Sequence, residues 1–298
     1  MPELPEVEIT MRKLAPQIKG RKIISFASDW PRGLRAEYKI PYLQKDIFGR
    51  KIKQLSRIGK VLFLHLSPVG KRKISVKLAF HQRMSGRLAV LDRNEVEKAT
   101  KHARIRIGLD NNKFLVFFDP RKFGVAWYGH DKVLNKDKYL NTLGPDALAV
   151  SWREFNKRLE EGKGTRSMGS TGSPQASSGQ AIKSFLLKQN IFAGIGNIVV
   201  DETLWFAKIH PQKKINHLSL KQRRALFLAL KKVLKRSIAM GGSSMRDWLH
   251  PDQGRGEYQD NWRAYGRSGQ KCYRCSRILK KSIVGGRGTT YCSFCQRV

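Results

Sequence analysis

Cysteine is absent from this chain until Cys272, and then four appear close together: Cys272, Cys275, Cys292 and Cys295. So late and compact a group excludes a disulfide framework running through the whole fold. Acidic residues are scarce. The 23 Asp and Glu stand against 59 Lys and Arg, leaving a formal net charge of +36. An excess of that size excludes an acidic or neutral solubility profile and selects a polyanionic partner, of which nucleic acid is the commonest. No apolar run reaches the roughly 18 residues that a bilayer-spanning helix needs. The opening residues are acidic and proline-rich rather than basic and then apolar, so no secretory leader is expected and the protein is read as cytoplasmic.

What is present fits two domains. A length of 298 residues gives each half enough material for its own core. Residues from about Pro5 to Leu14 read as a helix. From Lys22 to about Tyr128 the pattern is β, with strands expected at Ile23–Phe26, Val61–Leu66, Ile74–Phe80, Gly86–Leu91, Ala103–Leu109 and Lys113–Phe118. Asp110-Asn111-Asn112 is a hairpin signal. Many short strands with turns between them predict a sandwich or flattened barrel. Leu143-Gly144-Pro145-Asp146 breaks the chain, and helical periodicity restarts at Trp152. Gly162–Gln180 is a Gly/Ser/Thr-rich stretch with the composition of a flexible insertion. Ile182–Lys188 and Asn197–Ala207 read as helices joined by a glycine turn, with Asn197 as N-cap. Leu218–Ile238 reads as an amphipathic helix with a basic outer face. The domains are set at 1–143, a hinge at 144–150, 151–245, and 246–298.

Several residues carry chemistry. A start methionine before the small residue Pro2 is normally trimmed, which exposes a secondary amine. An α-amine titrates near pH 8, and the positive end of a helix beside it disfavours protonation further. Glu3 and Glu6 are at hand for proton transfer, so the first turn suits Schiff-base chemistry at an electrophilic carbon. Pro and Glu also simply open helices, and Lys60 at the head of a strand is ordinarily a solvated end. Met84 in the turn His81–Gly86 is out of place, because methionine normally fills cores. Asp119-Pro120-Arg121-Lys122-Phe123-Gly124 places a cation beside an aromatic ring in a turn. The spacing C-x2-C-x16-C-x2-C is that of a closed tetrahedral zinc site, which is structural rather than catalytic.

Met1–Glu8 (MPELPEVE), the Met84 turn, the Arg121–Phe123 turn, the segment AIKSFLLKQNIFAGIGNIVVDETLWFAKIHP and the paired Cys-x-x-Cys knuckles together resemble the formamidopyrimidine-DNA glycosylase (Fpg/Nei) family. They occur in family order along the whole chain. The resemblance implies an α+β protein of two domains. Its N-terminal part would be a β-sandwich with an N-terminal helix, and its C-terminal part a helical domain with a helix–two-turn–helix element and a β-hairpin zinc finger. It implies a bifunctional glycosylase and abasic-site lyase acting on duplex DNA with oxidised purines or abasic sites. The expected protein is a monomer with one structural Zn2+ and no catalytic cofactor. By match, Pro2, Glu3, Lys60 and Arg287 are the catalytic group. Met84 fills the gap left by an extruded base, Arg121 pairs with the orphaned partner base, and Phe123 wedges the next step. His102 and Asn197 contact DNA, and Arg166 or Lys163 supplies a contact from the Gly162–Gln180 insertion. The segment Gly241–Arg267 would fold over the extruded base.

This chain departs from the pattern at Gln82 and Arg83, which stand where the family has an apolar residue and glycine, and at Ser184 in place of proline. Arg83 then reads as an added phosphate contact. Leu4 favours the branch acting on oxidised purines over the endonuclease VIII branch acting on oxidised pyrimidines, where glycine is usual. A non-catalytic, zinc-stabilised DNA binder is the remaining alternative.

Overall fold

The computed structural model describes residues 2–37, 39–70, 74–98, 101–162, 179–245 and 248–297. Arg166 and Lys163 lie outside the described residues, as does Met1. The chain forms two compact units, one of Met1–Thr142 with Ser237–Gln259, the other of Leu143–Arg236 with Asp260–Val298.

The first unit begins with helix α1 (Leu4–Ile18), followed by β1 (Ile23–Ser28), β2 (Leu34–Ala36), α2 (Ile40–Ile47), β3 (Ile52–Ile58), β4 (Val61–Leu66), β5 (Val76–His81) and β6 (Arg87–Asp92). It continues with α3 (Arg93–Lys98), β7 (Ala103–Leu109), β8 (Lys113–Phe118), β9 (Val125–Gly129), α4 (Asp131–Leu134) and α5 (Lys138–Asn141). The strands make one sheet in the order β1-β7-β8-β6 and a second in the order β2-β9-β5-β4-β3. Pairing is antiparallel except between β2 and β9. Ile105, Ile107, Leu109, Leu115 and Phe117 of the first sheet meet Leu62, Leu64, Leu66, Leu78 and Phe80 of the second in one core, which α1 closes with Val7, Leu14 and Ile18. The period of two in these inward residues is what the sequence displays. The expected sandwich with its N-terminal helix is therefore present.

Three strands go unread in the sequence. β3 is the edge of its sheet, and its polar residues Lys53, Gln54, Ser56 and Arg57 break the apolar alternation that would mark it. β2 has only three residues. β9 is a wholly buried run without alternation. The strand expected at Ile74–Phe80 is shifted to Val76–His81, because pairing of Val61 with His81 carries it one residue further.

The second unit contains α6 (Trp152–Glu161), α7 (Ile182–Leu186), α8 (Asn197–Ala207), α9 (Leu220–Ala239) and the hairpin of β10 (Lys280–Val284) with β11 (Arg287–Tyr291). The inner face of α9 repeats every three or four residues through Leu226, Leu230, Val233 and Leu234, as amphipathicity requires. The chain boundary falls at Thr142–Leu143, beside the expected Gly-Pro break.

The partition corrects the expectation for the later segment. Ser237–Gln259 joins the first unit rather than being shared between the helical domain and the C-terminal finger. The reason is specific bonding: the Ser243 N–H donates to Glu6 at 2.8 Å, Trp248 Nε1 donates to Gln82 at 3.2 Å, and Asp252 pairs with Lys13 at 2.7 Å. Among the described residues no helix is long and apolar enough to cross a membrane.

Candidate active site and nucleic-acid interface

The start of α1 is buried. Pro2 is buried and Glu3 is only 3% exposed. Glu3 caps the helix in a reciprocal box: its side chain accepts from the N–H of Glu6, and Glu6 Oε2 accepts from the N–H of Glu3 at 2.8 Å. Pro5 stands in the first turn, where its missing N–H costs nothing. Glu6 Oε1 takes the Ser243 N–H. Burial, reinforced by the neighbouring Glu3 carboxylate, pushes the Glu6 carboxyl up to about 7. The start of α1 thus holds two buried carboxyl groups close in sequence to Pro2.

Lys60 is not the solvated strand end that its position alone implies; it is 7% exposed. It follows Gly59, which adopts φ +58 in the tight turn between β3 and β4. The turn is tied to α1 by Arg57. Its Nε donates to Glu8 Oε2 at 2.8 Å, and its Nη1 donates to the Gly59 carbonyl at 2.8 Å. This ion pair is itself buried, with side chains 5% and 8% exposed. The carboxylate of α1 therefore sets where Lys60 sits, and neither Glu8 nor Arg57 stands out in the sequence.

The wedge candidates come together around one buried carboxylate. Asp119 is fully buried. Its Oδ1 accepts from Ser85 Oγ at 2.5 Å, holding the Met84 turn, and its Oδ2 accepts from the Gly124 N–H at 2.7 Å, holding the Arg121–Phe123 turn. Its backbone N–H donates to the His102 carbonyl at 2.9 Å. Met84 and Phe123 are about half exposed, at 49% and 53%, and the Arg121 guanidinium lies 5.5 Å from the Phe123 ring. His102 takes φ +70, and its Nδ1 lies 3.3 Å from Arg104 Nη2. Exposing two large apolar side chains at adjacent turns is unfavourable in water and marks a contact surface. Asp119 went unassigned in the sequence. The only available signal was an Asp that opens a turn and is followed by glycine five residues later.

In the second unit, Asn197 is the first residue of α8 and Gly196 is its cap, which corrects the N-cap expectation. Asn197 Nδ2 instead donates to the Gly288 carbonyl at 2.9 Å, reaching the hairpin turn that carries Arg287. Gly285 and Gly286 make that turn with φ +58 and +71, and Arg287 is exposed. Beneath it lies a buried ion pair. Lys183 Nζ donates to Asp201 Oδ1 at 2.6 Å, to Thr289 Oγ1 at 2.8 Å and to the Gly288 carbonyl at 3.1 Å. Asp201 Oδ2 accepts from the Thr290 N–H at 3.1 Å. Burial pushes the Asp201 carboxyl up, and the Lys183 charge works against that rise.

The sulfurs of Cys272, Cys275, Cys292 and Cys295 all lie within 4.8 Å of one another. A tetrahedron with metal–sulfur bonds of about 2.3 Å has sulfur–sulfur edges just under 4 Å, so the donor set fits a closed four-thiolate metal site. Cys275 and Cys292 are 3.5 Å apart, and the Cys295 N–H points at the Cys292 sulfur at 3.4 Å. Burial works against ionising Cys272, but the Arg274 N–H, the Trp205 indole, the Cys275 N–H and the Cys292 thiol together outweigh it and bring the thiol to about 7.

Within the first unit the structure sets Pro2 and Glu3 just before α1 and Glu6 in its first turn, places Lys60 in a turn fastened to that helix, and gathers Met84, His102, Arg121 and Phe123 about Asp119. Within the second it joins Asn197 to the Arg287 turn and clusters the four cysteines.

Two domain models of one family match the chain in order. Residues 1–126 match the formamidopyrimidine-DNA glycosylase N-terminal domain and residues 167–248 match the formamidopyrimidine-DNA glycosylase H2TH domain. The formamidopyrimidine-DNA glycosylase of Lactococcus lactis subsp. lactis is 34% identical, and that of Listeria innocua 31% identical, each alignment covering all of both chains. Among solved structures, the Lactococcus lactis Fpg complex with DNA containing an abasic site has a TM-score of 0.82 at 30% identity. A mutant of the same enzyme with DNA containing Fapy-dG has 0.83 at 31%, and both cover all of both chains. Full-length identity at this level, with two domain matches in order, means that the chain belongs to the formamidopyrimidine-DNA glycosylase family.

Proposed function

We propose that this protein is a base-excision-repair DNA glycosylase with abasic-site lyase activity, acting on oxidised purines in duplex DNA. The observation that carries the reading is the buried Pro2–Glu3 pair at the head of α1, capped so that its geometry is fixed before substrate arrives. Relatives named formamidopyrimidine-DNA glycosylase, and structural neighbours holding abasic-site and Fapy-dG DNA, support the substrate class. The net charge of +36 supports a polyanionic duplex and a search along undamaged DNA.

In this reading, removal of Met1 frees the imino nitrogen of Pro2. The damaged nucleotide leaves the stack, because its glycosidic carbon is otherwise out of reach. Pro2 attacks C1′, its nitrogen–carbon bond forming as the bond from C1′ to the base breaks, and the proton shed by the Pro2 nitrogen leaves with the base. Glu3 protonates the ring oxygen, the sugar opens, and the Pro2–sugar adduct becomes an iminium. Loss of a proton from C2′ expels the 3′ phosphate, and a second elimination expels the 5′ phosphate. Lys60 and Arg287 assist as acids or phosphate clamps. Met84 occupies the vacated space, Phe123 opens the adjacent step, and Arg121 satisfies the orphaned base. Such a wedge costs a few kcal/mol of unstacking, recovered through contacts to the bent duplex. His102 and Asn197 hold flanking phosphates, and Arg166 adds a contact from the Gly162–Gln180 insertion.

Cys272, Cys275, Cys292 and Cys295 would hold one structural Zn2+, whose chemistry is to fix the hairpin; no elimination step runs through it. The protein acts as a cytoplasmic monomer at the nucleoid. A neighbouring complex of the Lactococcus enzyme with DNA containing an oxidised pyrimidine keeps that lesion class as the second reading. Cleavage of 8-oxoguanine and thymine glycol duplexes by the same preparation tests the choice. Faster cleavage at 8-oxoguanine is expected, and the reverse order overturns the assignment.

A further inference from the structure

Two of the three residues that depart from the family pattern, Gln82 and Arg83, are neighbours built into the fold. Gln82 is 1% exposed. Its Oε1 accepts from Trp248 Nε1, and its carbonyl accepts from the Gly86 N–H at 2.8 Å, closing the turn around Met84. Arg83 takes φ +52, a left-handed conformation where glycine is at ease and a side chain is strained. Something must hold it there. Its N–H donates to His81 Nδ1 at 3.0 Å, and its guanidinium lies 5.3 Å from the centre of the Tyr139 ring.

The holder is itself rigid. Tyr139 stacks on the buried Trp127 at 6.2 Å and 10°, and meets the edge of His81 at 5.4 Å. It belongs to α5, whose cap Asp137 accepts the N–H groups of Tyr139 and Leu140 and pairs with Arg35 at 2.8 Å. His81 can accept the Arg83 N–H only while its Nδ1 carries no proton. Burial, with the Arg83 and Lys60 charges beside it, pushes its ionisation down to about 3, so it stays neutral at every working pH.

We propose that Arg83 is a positioning residue, committed to the Tyr139 face, which fixes the turn presenting Met84; it is not the added phosphate contact that the sequence implies. The proposal rests on the reading that Met84 enters the duplex. The two are separable by experiment.

The test uses full-length protein and a duplex carrying an uncleavable abasic analogue beside 2-aminopurine, whose fluorescence rises when the step is opened. Arg83→Gln and Tyr139→Leu should each slow that rise about fivefold, the rate equivalent of one exposed cation–π contact. The double variant should be no slower than either, and Tyr139→Phe, which keeps the ring, should match the parent. In DNA-free protein, amide exchange across Gln82–Gly86 should quicken in the two single variants. The salt dependence of binding to undamaged duplex should keep its slope. If Arg83→Gln instead lowers that slope by about one unit, while Tyr139→Leu opens the step at the parent rate, Arg83 is a phosphate contact and the proposal fails. Unchanged amide exchange in both single variants would also overturn it. A Met84→Ala variant with an undiminished fluorescence rise would instead refute the role given to Met84, leaving the exchange result to judge the tether.

Discussion

Replacing Lys183 by methionine probes the buried pair beneath the Arg287 turn. The side chains of Lys183 and Asp201 are 0% and 1% exposed, so neither charge is screened by solvent. Methionine follows the aliphatic stem of lysine closely and leaves little cavity. What disappears is the charge on Nζ with its bonds to Asp201, Thr289 and Gly288. Removing one partner of a buried pair costs about 3–5 kcal/mol, because the other charge is stranded. That is a large share of the ~5–15 kcal/mol that holds a domain folded. Adding Asp201→Asn removes the stranded charge and keeps an acceptor for the Thr290 N–H, so the pair of changes should recover about 2 kcal/mol. Urea unfolding, followed by amide exchange at Thr289 and Thr290, measures both steps in the second unit. Affinity for abasic-site DNA should fall with the single change as the turn loosens. A loss below about 0.5 kcal/mol, or a double variant as unstable as the single, would refute the reasoning.

Glu6 gives a pH-dependent prediction. Its carboxyl is raised from 4.5 to about 7, so between those pH values the folded chain holds a proton that the unfolded chain has released. Stability from this group is therefore greatest below pH 4.5 and falls as pH rises toward 7, by up to about 3 kcal/mol, and is level above that. In Glu6→Gln the slope should vanish, leaving a constant offset of about 1 kcal/mol for the lost acceptor; a stability difference between parent and variant that does not change from pH 5 to 8 would count against it. For the cysteine cluster, native mass spectrometry should find one zinc per chain. Releasing it with an organomercurial should unfold the hairpin and abolish binding to abasic-site DNA, since such metal binding is itself folding energy. A metal-free native mass with unchanged stability would contradict this.

How much was legible follows from how local each signal is. Met84 and Phe123 could be read because an apolar side chain in a turn is anomalous wherever it occurs. The cysteine site could be read because all four ligands lie within one short stretch. Lys60 could be named by resemblance, but its burial could not, since that depends on Glu8 of α1 reaching Arg57 across 49 residues. Lys183 reads as a single cation on a short, mostly apolar helix; its partner Thr289 lies 106 residues away. Asp119 organises three turns through contacts spaced 5 to 34 residues from it, and no periodicity announces that. The attachment of Ser237–Gln259 to the first unit is hidden for the same reason. Its anchors on Glu6, Gln82 and Lys13 lie far back in the chain.

The central claim is that the nucleophile is the imino nitrogen of Pro2. Borohydride added during reaction with a damaged duplex reduces an iminium to a stable amine and locks protein to DNA. Mass analysis of the trapped species should find the sugar on an N-terminal peptide beginning at Pro2, with Met1 gone, and Pro2→Gly should sharply reduce the yield. If the cross-link maps instead to a lysine, or if protein retaining Met1 cuts damaged DNA at the same rate, the account is contradicted.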